Sequence, residues 1–359
     1  MTTTTKPIPK PERAKPRIDW RKLGGRVFQA VLSVVLAMLI GALLLLVSGT
    51  NPLTAYRSLF YGAFGTVDRF AETLVKATPL LIIAVSVSIC FRAQVWNIGA
   101  EGQLILGAIT STWVALTFSS LPAPLLLVLS LIAGAIGGAV WGGIAGILKA
   151  KMQANEVITT SMLNYIAVYL LGFLVRGPLM DPNGFNFPQS ALIKESLELP
   201  RLIPGTRLNL AFVLALLLVA GAMVFWRSTI GFRTEIVGAS RRVAKQIGLS
   251  VGGTFVLVTA LSGALVGMAG WGEIFGLHFR LIEEIARGLG NLGIVVALLG
   301  ELHPLGMLVS SLLFGALVVG GNAMERNAGV PFALVDVIQG AIILLILART
   351  YFFKKASAS

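Results

Sequence analysis

Apolar residues in this chain fall in runs of roughly 17 to 25, and that feature excludes most folds before any motif is considered. A helix of about 20 residues crosses the ~30 Å hydrocarbon core of a bilayer, where backbone groups find no water and must bond within their own segment. Such spans are expected to start near Val27, Thr73, Gly102, Ala123, Val157, Leu210, Thr254, Leu289, Gly306 and Val335. The predicted fold is therefore an all-α polytopic integral membrane protein with about ten transmembrane helices. Composition agrees: 13% of residues are charged, about half the share a soluble domain carries. Cys90 is the sole cysteine, which leaves no disulfide framework or cysteine-based metal site to consider.

A net charge of +13 suggests nucleic acid until the positive residues are located. Lys6, Lys10, Arg13, Lys15, Arg17, Arg21, Lys22 and Arg26 all precede the first span, which places that end in the cytoplasm. An even number of passes returns the C-terminus to the same side, an N-in/C-in topology that holds about two-thirds of the Lys and Arg inside. The charge thus serves topology and anionic-lipid attraction, and no nucleic-acid partner is expected. Residues 1–26 read as a disordered basic cytoplasmic tail, 27–352 as the transmembrane domain and 353–359 as a second cytoplasmic tail. The first span is too long for a signal-peptide core and lacks a small-residue cleavage site, so it is expected to be retained.

Two loops are long. Residues 176–209 carry five prolines and should form an irregular external cap. Residues 227–250, inside, carry five basic residues and read as an amphipathic helix broken by Gly231 and Gly238, suited to a membrane face or a partner's groove. Gly134, Gly138, Gly142 and Gly146 form a ridge without side chains, as do Gly263 and Gly267; close packing within the chain and a subunit interface both fit. A weak echo aligns Gly99 with Gly300, Leu104 with Leu305, Ala115 with Ala316 and Leu116 with Leu317. It raises the expectation of an inverted-topology repeat with broken helices.

Two motifs mislead. Gly248 to Gly252 matches a nucleophile elbow but lacks the strand before it, and only His278 and His303 exist to serve as a base. Gly288 to Gly293 matches a dinucleotide fingerprint without a βαβ unit. There is no P-loop, so no ATPase activity and no cofactor are expected on this chain; ATP and magnesium belong to a partner. The informative residues are polar ones inside apolar runs. Arg92 to Gln103 interrupts hydrocarbon with a short break that is either a cytoplasmic turn or an unwound segment at membrane depth. Trp96, Asn97, Glu101 and Gln103 in that break, with Asn164, Trp271, Glu273, Asn291 and Gln339, are candidates to line a substrate pathway. Together they offer aromatic faces and amide or carboxylate groups to a small neutral, ring-bearing solute, and few are cationic, which argues against an anion. Glu101, Glu273 or Asp336 would be the coupling carboxylates if the protein were instead an ion-driven secondary transporter.

Trp96 to Gln103, Asn155 to Ala167, Leu261 to Gly270 and the stretch from Val296 to Gly306 resemble the membrane permeases of bacterial ABC importers in the branched-chain amino acid and simple-sugar class. Within that class they are most similar to nucleoside-uptake permeases. The resemblance spans about Leu74 to Leu347. It implies an inner-membrane importer with a second homologous permease subunit, a separate ABC ATPase and an external substrate-binding lipoprotein. It also implies that Gly231, Arg233, Glu235, Gly238, Arg241, Arg242 and Gly248 lie in the ATPase-docking segment, with Glu235 and Ser240 departing from the basic residue and asparagine usual there. Simple sugars or branched-chain amino acids are the alternative cargo.

Overall fold

The computed structural model describes residues 35–344 apart from 37, 332, 339, 342 and 343. The basic tail 1–26, the start of the first span at Val27, Gln339 and the tail 353–359 lie outside the described residues.

High apolar content with polar caps makes this chain helical. Asn51, Thr66, Asn155, Asn209, Ser228, Ser240 and Ser250 each accept a hydrogen bond from a backbone N–H one to three residues inside the helix they precede, which satisfies donors otherwise orphaned at a helix start. The helices are α1 (Met38–Val47), α2 (Pro52–Phe64), α3 (Val67–Arg92), α4 (Ala100–Thr117), α5 (Ala123–Met152) and α6 (Glu156–Arg176). They continue as α7 (Leu210–Arg227), α8 (Thr229–Ala239), α9 (Arg241–Gln246), α10 (Val251–Glu273), α11 (Leu289–Leu299) and α12 (Pro304–Ala328). No strand occurs among the described residues. Among the described residues, six helices, α3, α5, α6, α7, α10 and α12, are long and apolar enough to cross a membrane. The expected span at Leu289 is corrected: α11 has 11 residues, about 16 Å, half of what a crossing needs.

Helix α3 is the central post, buried along nearly its whole length, with α2, α7, α10, α11 and α12 around it. The glycine ridge of α5 meets α10 of the same chain. A Cβ at Gly138 would lie 2.1 Å from the Gly263 carbonyl oxygen and one at Gly142 2.3 Å from that of Thr259, so only glycine lets these backbones approach. Helix α4 joins the same contact, with Gly107 against Gly267.

Helix α3 sets the polarity of the molecule. Its C-terminal residue Arg92 bonds the carbonyl of Leu302, before α12, whereas Glu72 near its start pairs with Arg207 of the long loop. Helix α4 climbs away from the Arg92 end and finishes where Lys194 bonds the Ser119 carbonyl at 2.5 Å. Helix α12 climbs the same way, with Gly315 against Thr73 and Ala77 and Ala323 against Gly62. The windows beginning at Gly99 and Gly300 therefore run in parallel. The inversion expected of that echo is corrected.

The loop 176–209 is irregular, with one 3-10 turn at Glu195–Leu197. It is clamped to the segment following α10 by backbone bonds from Ser190 to Leu281, Ile193 to Phe279 and Leu199 to Phe275, and it buries Ile193, Leu197 and Leu199. At the other end, α8 runs through Gly231 and Gly238 without interruption, which corrects the broken helix expected there. The stop falls at Ser240, whose hydroxyl caps α9.

Candidate functional site

Two stretches interrupt helices inside the bundle. The first, residues 93–99, turns back from the Arg92 end, with Gln94 in the left-handed region at φ 55°. It then climbs beside the first turns of α6. Ile98 N–H donates to Thr160 Oγ1 at 3.2 Å, Gly102 N–H to Asn164 Oδ1 at 2.8 Å, and Asn164 Nδ2 to the Ile98 carbonyl at 2.9 Å. Asn164 thus satisfies backbone groups that the missing helix leaves open. The second, residues 279–288, descends from the capped end after α10 closes in a π-helical turn at Ile274–His278. Phe279 (φ 57°) and Arg287 (φ 34°) are both left-handed.

The two breaks meet where Gly288 N–H donates to Glu101 Oε1 at 3.1 Å and Gly290 packs on the Glu101 backbone. Helix α11 leads from there back toward Leu302 and Arg92, so this junction stands about one 11-residue helix, ~16 Å, from the Arg92 end. Asn97 lies between. It is fully buried; its Nδ2 donates to Ser262 Oγ at 3.0 Å and to Gln103 Oε1 at 3.3 Å, and its Oδ1 accepts from Gly99 N–H and Gln103 Nε2. Ser262 continues the network to Ser86 of α3 at 2.8 Å. Asn97 is therefore saturated by the protein itself, and Gln103, 2% exposed, is turned toward it.

The remaining candidates scatter. Trp96 is about half exposed, its ring 4.7 Å from Phe91. Trp271 does not join the break; it stacks on Phe275 and donates to Ser130 of α5 at 3.0 Å. Glu273, 8% exposed, stands 3.5 Å from His278 Nε2 and lines a cavity with Thr78 and Asn209. Its volume of about 20 Å³ is enough for one water. Asn291 is exposed on α11.

The segment after α7 sits directly on the first break. A Cβ at Gly238 would fall 1.9 Å from the Arg92 carbonyl oxygen, so α8 and the end of α3 touch backbone to backbone. Gly231 makes a similar contact with Phe225. Arg92 donates to Glu235 at 3.0 Å and to the Leu302 carbonyl at 2.9 Å, and its guanidinium lies 4.1 Å over the Trp226 ring. Arg241 donates to the Gln94 carbonyl at 3.3 Å. Arg233 and Arg242 point outward, and Gly248 turns the chain into α10 at φ 79°. Residue spacing pointed to this segment but not to Arg92, which joins α3, α7, α8 and the turn before α12. Its partners lie 134 to 210 residues away, Glu235 at 143 and Leu302 at 210, and no local pattern marks them.

Long apolar helices around two facing breaks, with a basic segment seated on one of them, form the frame of a multi-pass membrane protein. The chain belongs to the family described as branched-chain amino acid transport system / permease component, which matches residues 69–347, and it is accordingly a multi-pass protein of the inner membrane. It is 38% identical over 336 residues to a glucose ABC transporter permease protein, TsgB13, of Haloferax volcanii, covering 90% of this chain and 88% of that one. It is 34% identical to the nucleoside ABC transporter permease protein NupB of Lactococcus lactis, covering 90% and 91%. It is also 34% identical to the guanosine ABC transporter permease protein NupP of Bacillus subtilis, covering 89% and 92%.

Proposed function

We propose that this chain is the transmembrane subunit of an ATP-driven ABC importer for nucleosides, forms the translocation pathway and couples it to a separate ATPase. The observation that carries this reading is the similarity to NupB and NupP along about nine-tenths of both chains. In this reading the chain makes ten passes with both termini inside, the eighth a composite of the irregular stretch 279–288 and the half-length α11. Residues 227–250 then face the cytoplasm and receive the ATPase, and residues 176–209 face outward and receive a binding lipoprotein. A second permease subunit completes the pathway. Asn97, Gln103 and Asn164 hold the break in shape; Trp96 and Asn291 are exposed and Glu101 and Asn164 half-buried, which leaves them surface for solute.

Hexose uptake is the second reading, favoured by the 38% identity to a glucose permease. Side-by-side uptake of radiolabelled guanosine, glucose and leucine by cells expressing the whole importer decides between cargoes. Guanosine accumulation competed by other nucleosides and not by glucose supports the first reading. Glucose accumulation alone replaces it with the second, and uptake that persists without the ATPase removes both.

A further inference from the structure

Helix α6 is long and apolar, yet most of it is uncovered. Ile158, Met162, Tyr165, Ile166, Tyr169 and Phe173 form one exposed face. Tyrosine hydroxyls seek hydrogen bonds, and at membrane interfaces the ring sits at headgroup level with the hydroxyl in water. Tyr165 lies at the middle of a 21-residue helix, where hydrocarbon offers no partner. This face therefore adjoins water or polar groups, and not lipid tails alone.

Toward the capped end, the same face opens into a groove of about 390 Å³ between α6 and the 279–288 segment, within the range of small-ligand sites. Tyr169 and Phe173 form its apolar wall and Arg176 with Glu283 its polar one. The guanidinium meets the carboxylate through two contacts, at 2.7 and 2.9 Å. Gly172 makes room for this arrangement: a Cβ there would stand 3.2 Å from Glu283 Oε1 and 3.3 Å from Arg176 Nη1. The pair is neutral as a unit but not spent. The Arg176 side chain is 62% exposed and that of Glu283 32%, leaving N–H donors and carboxylate lone pairs that face the groove.

We propose that this groove is a weak outer subsite for a neutral hydroxylated ring, which stacks on Tyr169 and Phe173 while Arg176 and Glu283 bond its hydroxyls. The inference rests on the reading of the cargo as a nucleoside or sugar. A self-neutralised ion pair offers both donors and acceptors without a net field, so a polyol finds partners where an anion meets Glu283 and a cation meets Arg176. From the groove, the irregular segment bearing Glu283 leads to Gly288 and its contact with Glu101. A solute on this platform is thus at the head of the stretch that reaches the inner break.

The test uses the complete importer with its ATPase, partner permease and binding protein. Initial uptake of guanosine and of glucose is measured against concentration for wild type, Tyr169→Ala, Tyr169→Phe and Glu283→Gln. A lost stacking contact is worth about a 3- to 10-fold change. Tyr169→Ala should raise the half-saturating concentration by that factor with the maximal rate nearly unchanged, and Tyr169→Phe should stay near wild type. In parallel, Tyr169→Cys is treated with a membrane-impermeant thiol reagent; Cys90 is buried and adds no competing label. Labelling slowed by the transported solute supports the subsite. Labelling at one rate with and without solute overturns it, as does a cysteine inert to the aqueous reagent, which would make this face part of an aromatic belt against lipid. An importer that carries leucine and neither guanosine nor glucose overturns the reading of the cargo. Unaltered variants in an importer that carries guanosine overturn the subsite alone.

Discussion

The two breaks are alike in backbone and opposite in chemistry. Residues 93–99 are closed by the bundle at Asn97: it is fully buried, Gln103 and Asn164 bond the protein, and no charged side chain lies within the stretch, although Gln94 and Trp96 are exposed. Residues 279–288 carry Arg280, Glu283, Glu284 and Arg287, with Glu283 and Arg287 in ion pairs at the surface. An unwound segment inside a bundle must have its backbone satisfied by something. Side chains supply this at the inner break; at the outer one, the cap 176–209 bonds the carbonyls of Phe279 and Leu281 through its main chain, and the charged side chains pair at the surface. A polar residue at depth is therefore a ligand contact only if its own hydrogen-bonding capacity has not already been used.

This contrast can be broken most severely at the inner break. Gly238→Leu drives a side chain into the Arg92 carbonyl, and overpacking of about 1–3 kcal/mol corresponds to roughly fivefold to a hundredfold in a coupling equilibrium. Uptake should collapse while the subunit stays inserted and ATP hydrolysis loses its response to solute. Normal solute-stimulated hydrolysis and transport would show that α8 does not act through the break.

Asn97→Ala should strand Gln103 and Ser262 at a cost of about 1–3 kcal/mol per buried group, lowering the melting temperature of the purified complex by several degrees. Asn97→Cys should resist aqueous thiol reagents in the presence and absence of solute. Rapid labelling protected by solute would make the inner break a binding site and erase the difference between the two.

A smaller effect is expected at the ion pair that fastens α8. The Arg92 side chain is only 23% exposed and also holds the Leu302 carbonyl and the Trp226 ring. Arg92→Glu, which sets a second carboxylate beside Glu235, should therefore lower the melting temperature by a few degrees and coupled uptake by about fivefold. Exchange of both charges, Arg92→Glu with Glu235→Arg, should recover part of it. No recovery would assign the loss to the Trp226 and Leu302 contacts of Arg92.

The smallest change is expected for Glu101→Gln, which keeps an oxygen to accept from Gly288 N–H; weakening a charged hydrogen bond to a neutral one costs about 1 kcal/mol. Uptake should fall by a few-fold at most. A complete loss, together with sensitivity to the proton gradient at constant ATP, would instead mark Glu101 as an ion-coupling carboxylate.

Much of the fold was legible from residue pattern because apolar run length and capping residues act locally. The starts expected at Ala123, Val157 and Leu210 lie within one residue of α5, α6 and α7. Hydropathy expected a full-length helix from Leu289, but α11 has 11 residues and ends before Glu301 and Leu302, whose left-handed φ of 52° and 56° separate it from α12. The broken segment was recognisable from Trp96 to Gln103, yet whether its amides faced solute or one another was not.

What the amino-acid order determined by itself was the solvent. Runs of 17 to 25 apolar residues, basic residues concentrated at one end and glycines every fourth place specify helices in lipid that pack backbone to backbone. Only the tertiary structure decided which polar groups remain available. Asn97 is spent on Ser262, 165 residues away, and Arg176 is joined to Glu283, 107 residues away. A hydrogen bond depends on the separation of two atoms in space, and in a bundle that separation is set by which helices cross and at what height.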